Sequence, residues 1–129
     1  MSLCLMSRVC VKVSSIRPDY DNFREWLDIE NHVYVGRHGR IFIGCKENRE
    51  ILHYKASKWK NPYKIGKRKH LVFTREHCVL MYELWIRARI KSDPETYNLS
   101  ELKNKVLGCW CNNGDLCHGD VLVQLLKEL

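Results

Sequence analysis

The segment GCWCNNGDLCHGD, at residues 108–120, concentrates the side chains of this chain that are best suited to chemistry. It contains three of the seven cysteines, and Cys109, Cys111, Cys117 and His118 are residue types that bind zinc. Their spacing is unusual for a structural zinc site, because such sites usually use a C-x-x-C turn and because adjacent Cys117 and His118 would strain to bind one ion. We therefore expect no cofactor, and zinc bound by these four residues is the alternative.

The same segment also fits a catalytic site at the start of a helix. The partial positive charge at a helix N-terminus favours a thiolate, and the free backbone N–H groups there can bind an anion. In this interpretation Cys117 lies at the helix start, His118 acts as acid or base, and Asp120 orients a partner group or a ribose hydroxyl. In a third, structural interpretation, His118 and Asp120 satisfy helix N–H groups, and Cys109 and Cys111 are packed strand residues. The segment by itself favours this third interpretation.

The net charge of +7 arises from one stretch of the chain. Residues 51–75 hold eight of the 22 basic residues and no Asp or Glu, so the remaining 14 basic residues nearly balance the 15 acidic ones. Basic side chains neutralise phosphates and aromatic faces stack on bases, so the loop at residues 55–75 is predicted to bind nucleic acid or a nucleotide. The predicted contacts are Arg37, Lys58, Trp59, Lys60, Asn61, Tyr63, Lys64, Lys67, Arg68 and Lys69.

Three functional hypotheses follow from these two segments. The first is a small basic protein that binds nucleic acid by contacting phosphates through the loop, with no sequence specificity implied, since no known DNA-binding motif is present. The alternative is an enzyme that acts on a nucleotide or a nucleic-acid-derived substrate at Cys117, His118 and Asp120. A further alternative is a structural or assembly protein whose charge packs against nucleic acid without specificity. In each case Trp59 and Tyr63 could instead anchor the loop to the core.

The first half of the chain predicts strands and one short helix. Alternating apolar residues predict a strand at residues 3–13, and Asp21 is expected to cap a helix at about 22–30. Two β-rich runs at 33–37 and 40–43 flank His38-Gly39, which predicts a hairpin. Residues 45–54 are ambiguous, and two helical turns over 47–53 are one interpretation.

The second half predicts three helices and one strand. Thr74 is expected to cap a long helix whose core face includes His77, Leu80, Met81 and Leu84, with Trp85 and Ala88 beyond them. Asn98 caps a short helix, residues 106–111 form a strand, and the last helix begins near Gly119. These elements predict one α+β domain over residues 1–129, with a small mixed sheet and flanking helices. A Rossmann-like α/β arrangement is the alternative.

Composition limits the setting in which this domain works. No apolar run is long enough to cross a bilayer, so we expect no membrane partner. The N-terminus lacks the features of a signal peptide, which predicts a reducing, intracellular compartment with free cysteines. Nothing in the sequence specifies a homodimer, which stays open.

Several of these stretches together resemble a known family. VYVGR at 33–37, KWKNPYKIG at 58–66, Arg75-Glu76, LGCWC at 107–111 and CHGDVL at 117–122 occur in this order. This pattern resembles the uncharacterised DUF4326 family of large DNA viruses, phages and microbes. The resemblance covers about residues 33–126 and leaves the strand and helix at 1–31 as an N-terminal extension. It implies that the KWKNPY and CHGD motifs belong to one site, and it raises a viral origin. For a viral protein, the structural alternative becomes a structural virion or assembly protein, and the expected compartment is the host cytoplasm, the nucleus or the virion.

Overall fold

Three parallel strands form the central sheet in the order β1-β7-β2. They are β1 (Ser7–Cys10), β2 (His32–Tyr34) and β7 (Val106–Cys109). The computed structural model describes residues 7–129, apart from the side chain of Arg68. β7 is central because it pairs in parallel with β1 along one edge and with β2 along the other. A parallel strand in this position is covered on both faces and needs apolar residues on both sides.

The two faces of the central strand pack against different parts of the chain. Leu107 and Cys109 point to a core formed with α3 (Arg75–Ser92) and α4 (His118–Lys127). Val106 and Trp110 point to a second cluster that includes Phe23. This second cluster involves α1 (Val13–Ile16) and α2 (Phe23–Leu27), which connect β1 to β2. Side chains of a strand alternate between faces, so one strand holds the two clusters together.

Two antiparallel hairpins lie outside the central sheet. The first pairs β3 (Gly39–Ile43) with β4 (Glu50–Tyr54), and the second pairs β5 (Gly66–Arg68) with β6 (Leu71–Phe73). The predicted hairpin around His38-Gly39 is therefore wrong, because β2 pairs with β7 and β3 with β4. The helical interpretation of residues 47–53 is wrong as well, since residues 50–54 form a strand. The β propensity of residues 33–37 and 40–43 was correct, but their partners lie elsewhere in the chain. The predicted loop at 55–75 is wrong in part, because residues 66–68 and 71–73 form the second hairpin.

The long helix forms as predicted but turns a different face to the core. The side chain of Thr74 accepts a hydrogen bond from the backbone N–H of His77 at 3.2 Å, which caps the helix. The buried residues are Cys78, Val79, Tyr82 and Ile86, whereas Leu80 and Leu84 are 57% and 65% exposed. The helix is apolar at both sets of positions, so the sequence periodicity does not select between them, and packing does.

Other predicted boundaries are close to the observed ones. Asn22, rather than Asp21, caps α2 by accepting from the backbone N–H of Glu25 at 3.1 Å. Asn98 caps a 3₁₀ helix (Leu99–Leu102), as predicted. The predicted strand at 3–13 is observed over residues 7–10, and its residues 3–6 lie outside the described part of the chain.

The domain combines helices with small sheets in one compact unit, so the predicted α+β class is confirmed. Its parallel and antiparallel strand pairs occur in separate sheets rather than in one mixed sheet. Within residues 7–129, no helix is both long and apolar enough to span a bilayer.

Candidate functional site

A pocket of about 470 Å³ opens at the carboxyl ends of β2 and β7. The chain leaves β2 toward Gly36 and Arg37, and it leaves β7 toward Trp110 and Cys111, before α4 begins at His118. Ligand sites in open parallel sheets form at this edge, outside the carboxyl ends of the strands. The pocket is lined by residues of both motifs, including Asn61, Tyr63 and Lys64 from the basic loop and Cys117 and His118 from the CHGD segment.

Three thiols meet in the wall of this pocket. The Sγ atoms of Cys109, Cys111 and Cys117 all lie within 4.8 Å of one another, and those of Cys109 and Cys117 are 3.0 Å apart. Cys109 and Cys111 are two residues apart at the end of β7, and Cys117 is the N-cap of α4. The turn between strand and helix therefore returns the third thiol to the other two. The six cysteines in the described part of the chain carry free thiols.

His118 presents an unprotonated ring nitrogen to the thiols. Its Nε2 lies 2.7 Å from the backbone oxygen of Val35, and its Nδ1 lies 3.6 Å from Sγ of Cys117. Only an N–H can pair with a carbonyl oxygen, so Nε2 carries the proton and Nδ1 has a free lone pair. Burial lowers the pKa of His118, which keeps the ring neutral at physiological pH.

Of the three thiols, Cys111 is the one most strongly favoured as a thiolate. Hydrogen bonds from Cys109 and Cys117, followed by the nearby guanidinium of Arg75, lower the pKa of Cys111. Nη1 of Arg75 lies 3.4 Å from Sγ of Cys111 and also donates to the backbone oxygen of Leu116 at 3.1 Å. Cys111 is half-buried, while Cys109 and Cys117 are fully buried.

Aromatic rings form another wall of the pocket. Tyr34, Tyr54 and Trp110 all line it, and the ring centroids of Tyr34 and Tyr54 are 5.4 Å apart. The hydroxyl of Tyr34 accepts from Nε1 of Trp110 at 3.0 Å and donates to the backbone oxygen of Arg37 at 2.6 Å. Phe23 packs against all three rings, so this wall is supported by the second hydrophobic cluster.

Part of the basic loop is held at the pocket by Arg37. Its Nε and Nη2 donate to the backbone oxygen of Asn61 at 3.0 and 2.8 Å, and its Nη2 also donates to that of Tyr63 at 3.1 Å. Asn61 is buried and donates from Nδ2 to the backbone oxygen of Cys78 at 3.3 Å. Arg37 and Asn61 therefore position the loop, and Tyr63 and Lys64 follow them into the pocket wall.

Other predicted nucleic-acid contacts lie outside the pocket. Trp59 is only 2% exposed, so its ring has no face free for a base. Its backbone oxygen also accepts a hydrogen bond from the Tyr82 hydroxyl at 2.7 Å. Lys58 forms an ion pair with Glu101 at 2.6 Å. The side chains of Lys60, Lys67 and Lys69 are exposed to solvent, and Arg68 lies in β5.

The three residues predicted to be catalytic do not all lie in the pocket. Cys117 and His118 line the pocket, but Asp120 does not. The Oδ2 of Asp120 accepts from the backbone N–H of Cys117 at 3.0 Å and completes a capping box at the start of α4. Asp120 also pairs with Arg8 at 3.3 Å. Its position is that of a helix cap.

Apart from the thiols, the ionisable side chains that line the pocket are cationic or neutral. Arg37, Lys64 and Arg75 contribute cationic side chains, and none of the described residues that line the pocket is Asp or Glu. Such a distribution attracts anionic ligands, and the effect is strongest in a recess with low-dielectric walls.

Sequence reasoning missed several residues of this site. Arg75, Tyr34, Tyr54 and Trp110 were not proposed as site residues, and Cys111 was interpreted mainly as a packed strand residue. A signal existed for Cys111, since strand alternation places Cys109 and Cys111 on the same face. The aromatic wall gave no signal, because its three rings come from three different elements.

Comparisons with known proteins identify relatives but no function. A model of the domain of unknown function DUF4326 matches residues 20–128. An uncharacterized protein of Acanthamoeba polyphaga mimivirus is 32% identical over 94 residues, which is 67% of this chain and 66% of that protein. The match thus spans just under two thirds of the viral relative's length. No solved structure matches the chain.

Proposed function

This chain belongs to the DUF4326 family, and from its pocket we propose that it binds a nucleoside phosphate, either free or as one unit of a single strand. The observation that carries the proposal is the combination of an aromatic wall with three cations and no carboxylate among the described lining residues. The family has no assigned function, so the argument depends on the site itself.

The cationic side chains of the pocket would bind the phosphate of the ligand. Lys64 is exposed and lines the pocket without an ion-pair partner among the described residues, which leaves its ammonium available. Arg75 lies deeper, next to Cys111. Arg37 adds charge, although three of its hydrogen bonds go to the loop backbone. Phosphate is therefore expected near Lys64 and Arg75.

The aromatic wall supplies the base-binding part. Tyr54 and Trp110 are only partly buried and both line the pocket, so their rings offer apolar surface to a ligand. Stacking of a base on an aromatic side chain contributes about 1–3 kcal/mol and tolerates any base, because every base has a π face. The pocket volume of about 470 Å³ lies within the usual range for small-molecule sites.

The exposed lysines determine how a longer strand would bind. Lys60, Lys67 and Lys69 are exposed, are close in sequence to Lys64, and do not line the pocket. If the ligand is a strand, they contact neighbouring phosphates, and affinity then falls steeply as salt increases. If the ligand is a free nucleotide, they contribute little. Binding of nucleic acid through the whole loop stays a prediction. In this proposal Tyr54 and Trp110, rather than Trp59, stack on a base.

Calorimetric titration at low salt tests the proposal directly. Nucleoside mono- and diphosphates, the matching nucleosides, inorganic phosphate and short single-stranded oligonucleotides are titrated in parallel. We expect nucleotides to bind more tightly than either nucleosides or phosphate, because only they contact both walls. A strand that binds no more tightly than its free nucleotide would assign the site to free nucleotides.

Two matched pairs of variants locate the binding site. Lys64→Ala should weaken nucleotide binding about tenfold, the loss of one charge-assisted contact, while Lys60→Ala in the same loop should have little effect. Tyr54→Leu should weaken binding, whereas Tyr54→Phe keeps the ring face and should not. Equal losses for Lys60→Ala and Lys64→Ala would point to diffuse charge attraction and contradict a pocket. No binding of any phosphate-bearing ligand would refute the proposal.

A further inference from the structure

We propose that Cys109, Cys111 and Cys117 together bind one divalent ion of the zinc type through three thiolates, with a fourth coordination position open to the pocket. The metal ligands are the three thiols, and the tests below use no nucleotide, so this inference can fail separately from the nucleotide proposal, with which it shares the pocket and Arg75. It also reverses the expectation from spacing, which counted against zinc because no C-x-x-C turn is present.

The distances between the sulfurs fit one shared ion. Zinc–thiolate bonds are about 2.3 Å long, so two sulfurs on one tetrahedral ion lie roughly 3.8 Å apart. All three Sγ atoms lie within 4.8 Å of one another. The Sγ atoms of Cys109 and Cys117 are 3.0 Å apart. Binding one shared ion would lengthen this Sγ–Sγ distance by less than about 1 Å, and rotation of the two side chains can supply that change.

The backbone holds the ligands in place before any ion binds. Cys109 ends β7 and Cys117 caps α4, so two of the three thiols are attached to regular elements. The turn between them is held by Arg8, which donates to the backbone oxygens of Cys111 at 3.1 Å and Asp115 at 2.7 Å. A site on rigid elements with a supported turn loses little conformational entropy when it binds a ligand.

Charge balance also favours the site. Three thiolates and one divalent cation leave a net charge of −1, which is costly to bury without a counter-ion. The guanidinium of Arg75, 3.4 Å from Sγ of Cys111, supplies that positive charge. Arg8 lies behind the turn and adds a second cation near Cys109 and Cys117. Groups next to the metal ligands adjust the affinity and reactivity of the bound ion.

The fourth position faces the pocket. All three cysteines line it, and Cys111 is half-exposed there. Nδ1 of His118 lies 3.6 Å from Sγ of Cys117, but His118 is not part of the group whose ligand atoms lie within 4.8 Å of one another. Three protein ligands and one open position are the arrangement of catalytic rather than structural zinc sites.

Metal analysis and cobalt substitution test this inference on the full chain without any nucleotide. The protein is purified under reducing conditions without chelator, and its zinc content is measured by mass spectrometry of the elements. Metal-free protein is then titrated with Co²⁺. We expect one ion per chain, with sulfur-to-cobalt charge-transfer absorption and the intense visible bands of tetrahedral cobalt.

A matched pair of cysteine variants assigns the ligands. Cys111→Ser should weaken Co²⁺ binding at least about 100-fold, since removing even a supporting residue of a metal site costs 10- to 100-fold. Cys45→Ser is the control, because Cys45 is an exposed free thiol outside the cluster. If Cys111→Ser does not fold, alkylation of the wild-type protein with and without Zn²⁺ gives the same answer. Zinc should then protect the half-buried Cys111 but leave the exposed Cys45 reactive.

Three results would overturn the inference. The first is reduced, folded wild-type protein that binds neither zinc nor cobalt. The second is an equal loss of binding in Cys45→Ser and Cys111→Ser. The third is alkylation of Cys111 that zinc does not slow.

Discussion

The guanidinium of Arg8, in the first strand, lies 3.3 Å from the carboxylate of Asp120, at the start of the last helix. The same guanidinium donates to the backbone oxygens of Cys111, Asn112 and Asp115 at 3.1, 3.2 and 2.7 Å. One side chain therefore closes the turn that carries the three thiols. Arg8 lies before residues 20–128, which the family model covers, so the turn with the three thiols depends here on a residue outside the match.

Replacing Arg8 should damage stability and the thiol site together. Arg8→Ala removes hydrogen bonds to three carbonyl oxygens and one carboxylate, and we expect a loss of about 2–3 kcal/mol in the free energy of unfolding. Arg8→Lys should recover only part of this loss, because an ammonium cannot bind several fixed acceptors in one plane. Denaturant unfolding measures both. Arg40→Ala, an exposed arginine in β3, is the control and should change stability by less than about 0.5 kcal/mol.

A second readout separates stability from site geometry in these variants. If Arg8 holds the turn, folded Arg8→Lys protein should also bind Co²⁺ more weakly than the wild type. Unchanged cobalt affinity together with reduced stability would mean that the turn keeps its shape without Arg8.

Gly108, the first residue of the GCWC motif, should not tolerate alanine. A Cβ there would lie 2.6 Å from Cγ1 of Val11 and would collide with the ring of Trp26. Both neighbours belong to the second hydrophobic cluster, so neither can move freely. We expect Gly108→Ala to destabilise the protein by about 1–3 kcal/mol through overpacking. A thermal unfolding midpoint equal to that of the wild type would show that α2 can move away from the sheet.

Trp59 should contribute to stability rather than to binding. The ring is buried and packs edge-on against Tyr97, with centroids 5.7 Å apart. Trp59→Ala should cost about 3–5 kcal/mol, whereas Trp59→Phe should cost less because a ring is kept. Nucleotide affinity of folded Trp59→Phe, measured by calorimetry, should match that of the wild type. A selective loss of affinity with unchanged stability would restore Trp59 as a stacking residue.

Arg37 should order the pocket loop. Arg37→Ala removes three hydrogen bonds to the backbone oxygens of Asn61 and Tyr63, and the freed carbonyls must then find water. We expect faster amide hydrogen exchange in residues 57–65 and weaker nucleotide binding, with a loss of about 1–3 kcal/mol in local stability. Exchange that is unchanged in this segment would show that Asn61 holds the loop without Arg37.

The chain carries enough local information to predict the strands of the central sheet and most of the helices, whereas α1 and the strands β4, β5 and β6 were not predicted. Thr74 and Asn98 are caps whose side chains act within a few residues, and both were correctly placed. The β propensity of residues 40–43 was also correct, but its pairing was not, because a strand's partner depends on contacts distant in sequence. For the same reason, the face of α3 that packs on the core could not be chosen from two apolar stripes.

The sequence by itself determined the chemical types available to the site: clustered cysteines near a histidine, and a basic loop with aromatic residues. These follow from composition and spacing, which need no contacts. Only the tertiary structure decided which of them meet. It brought Cys111 and Arg75 together, removed Trp59 and Asp120 from the pocket, and assembled Tyr34, Tyr54 and Trp110 into one wall. The physical reason is that side chains from separate strands, loops and helices become neighbours only through the packing of the whole chain.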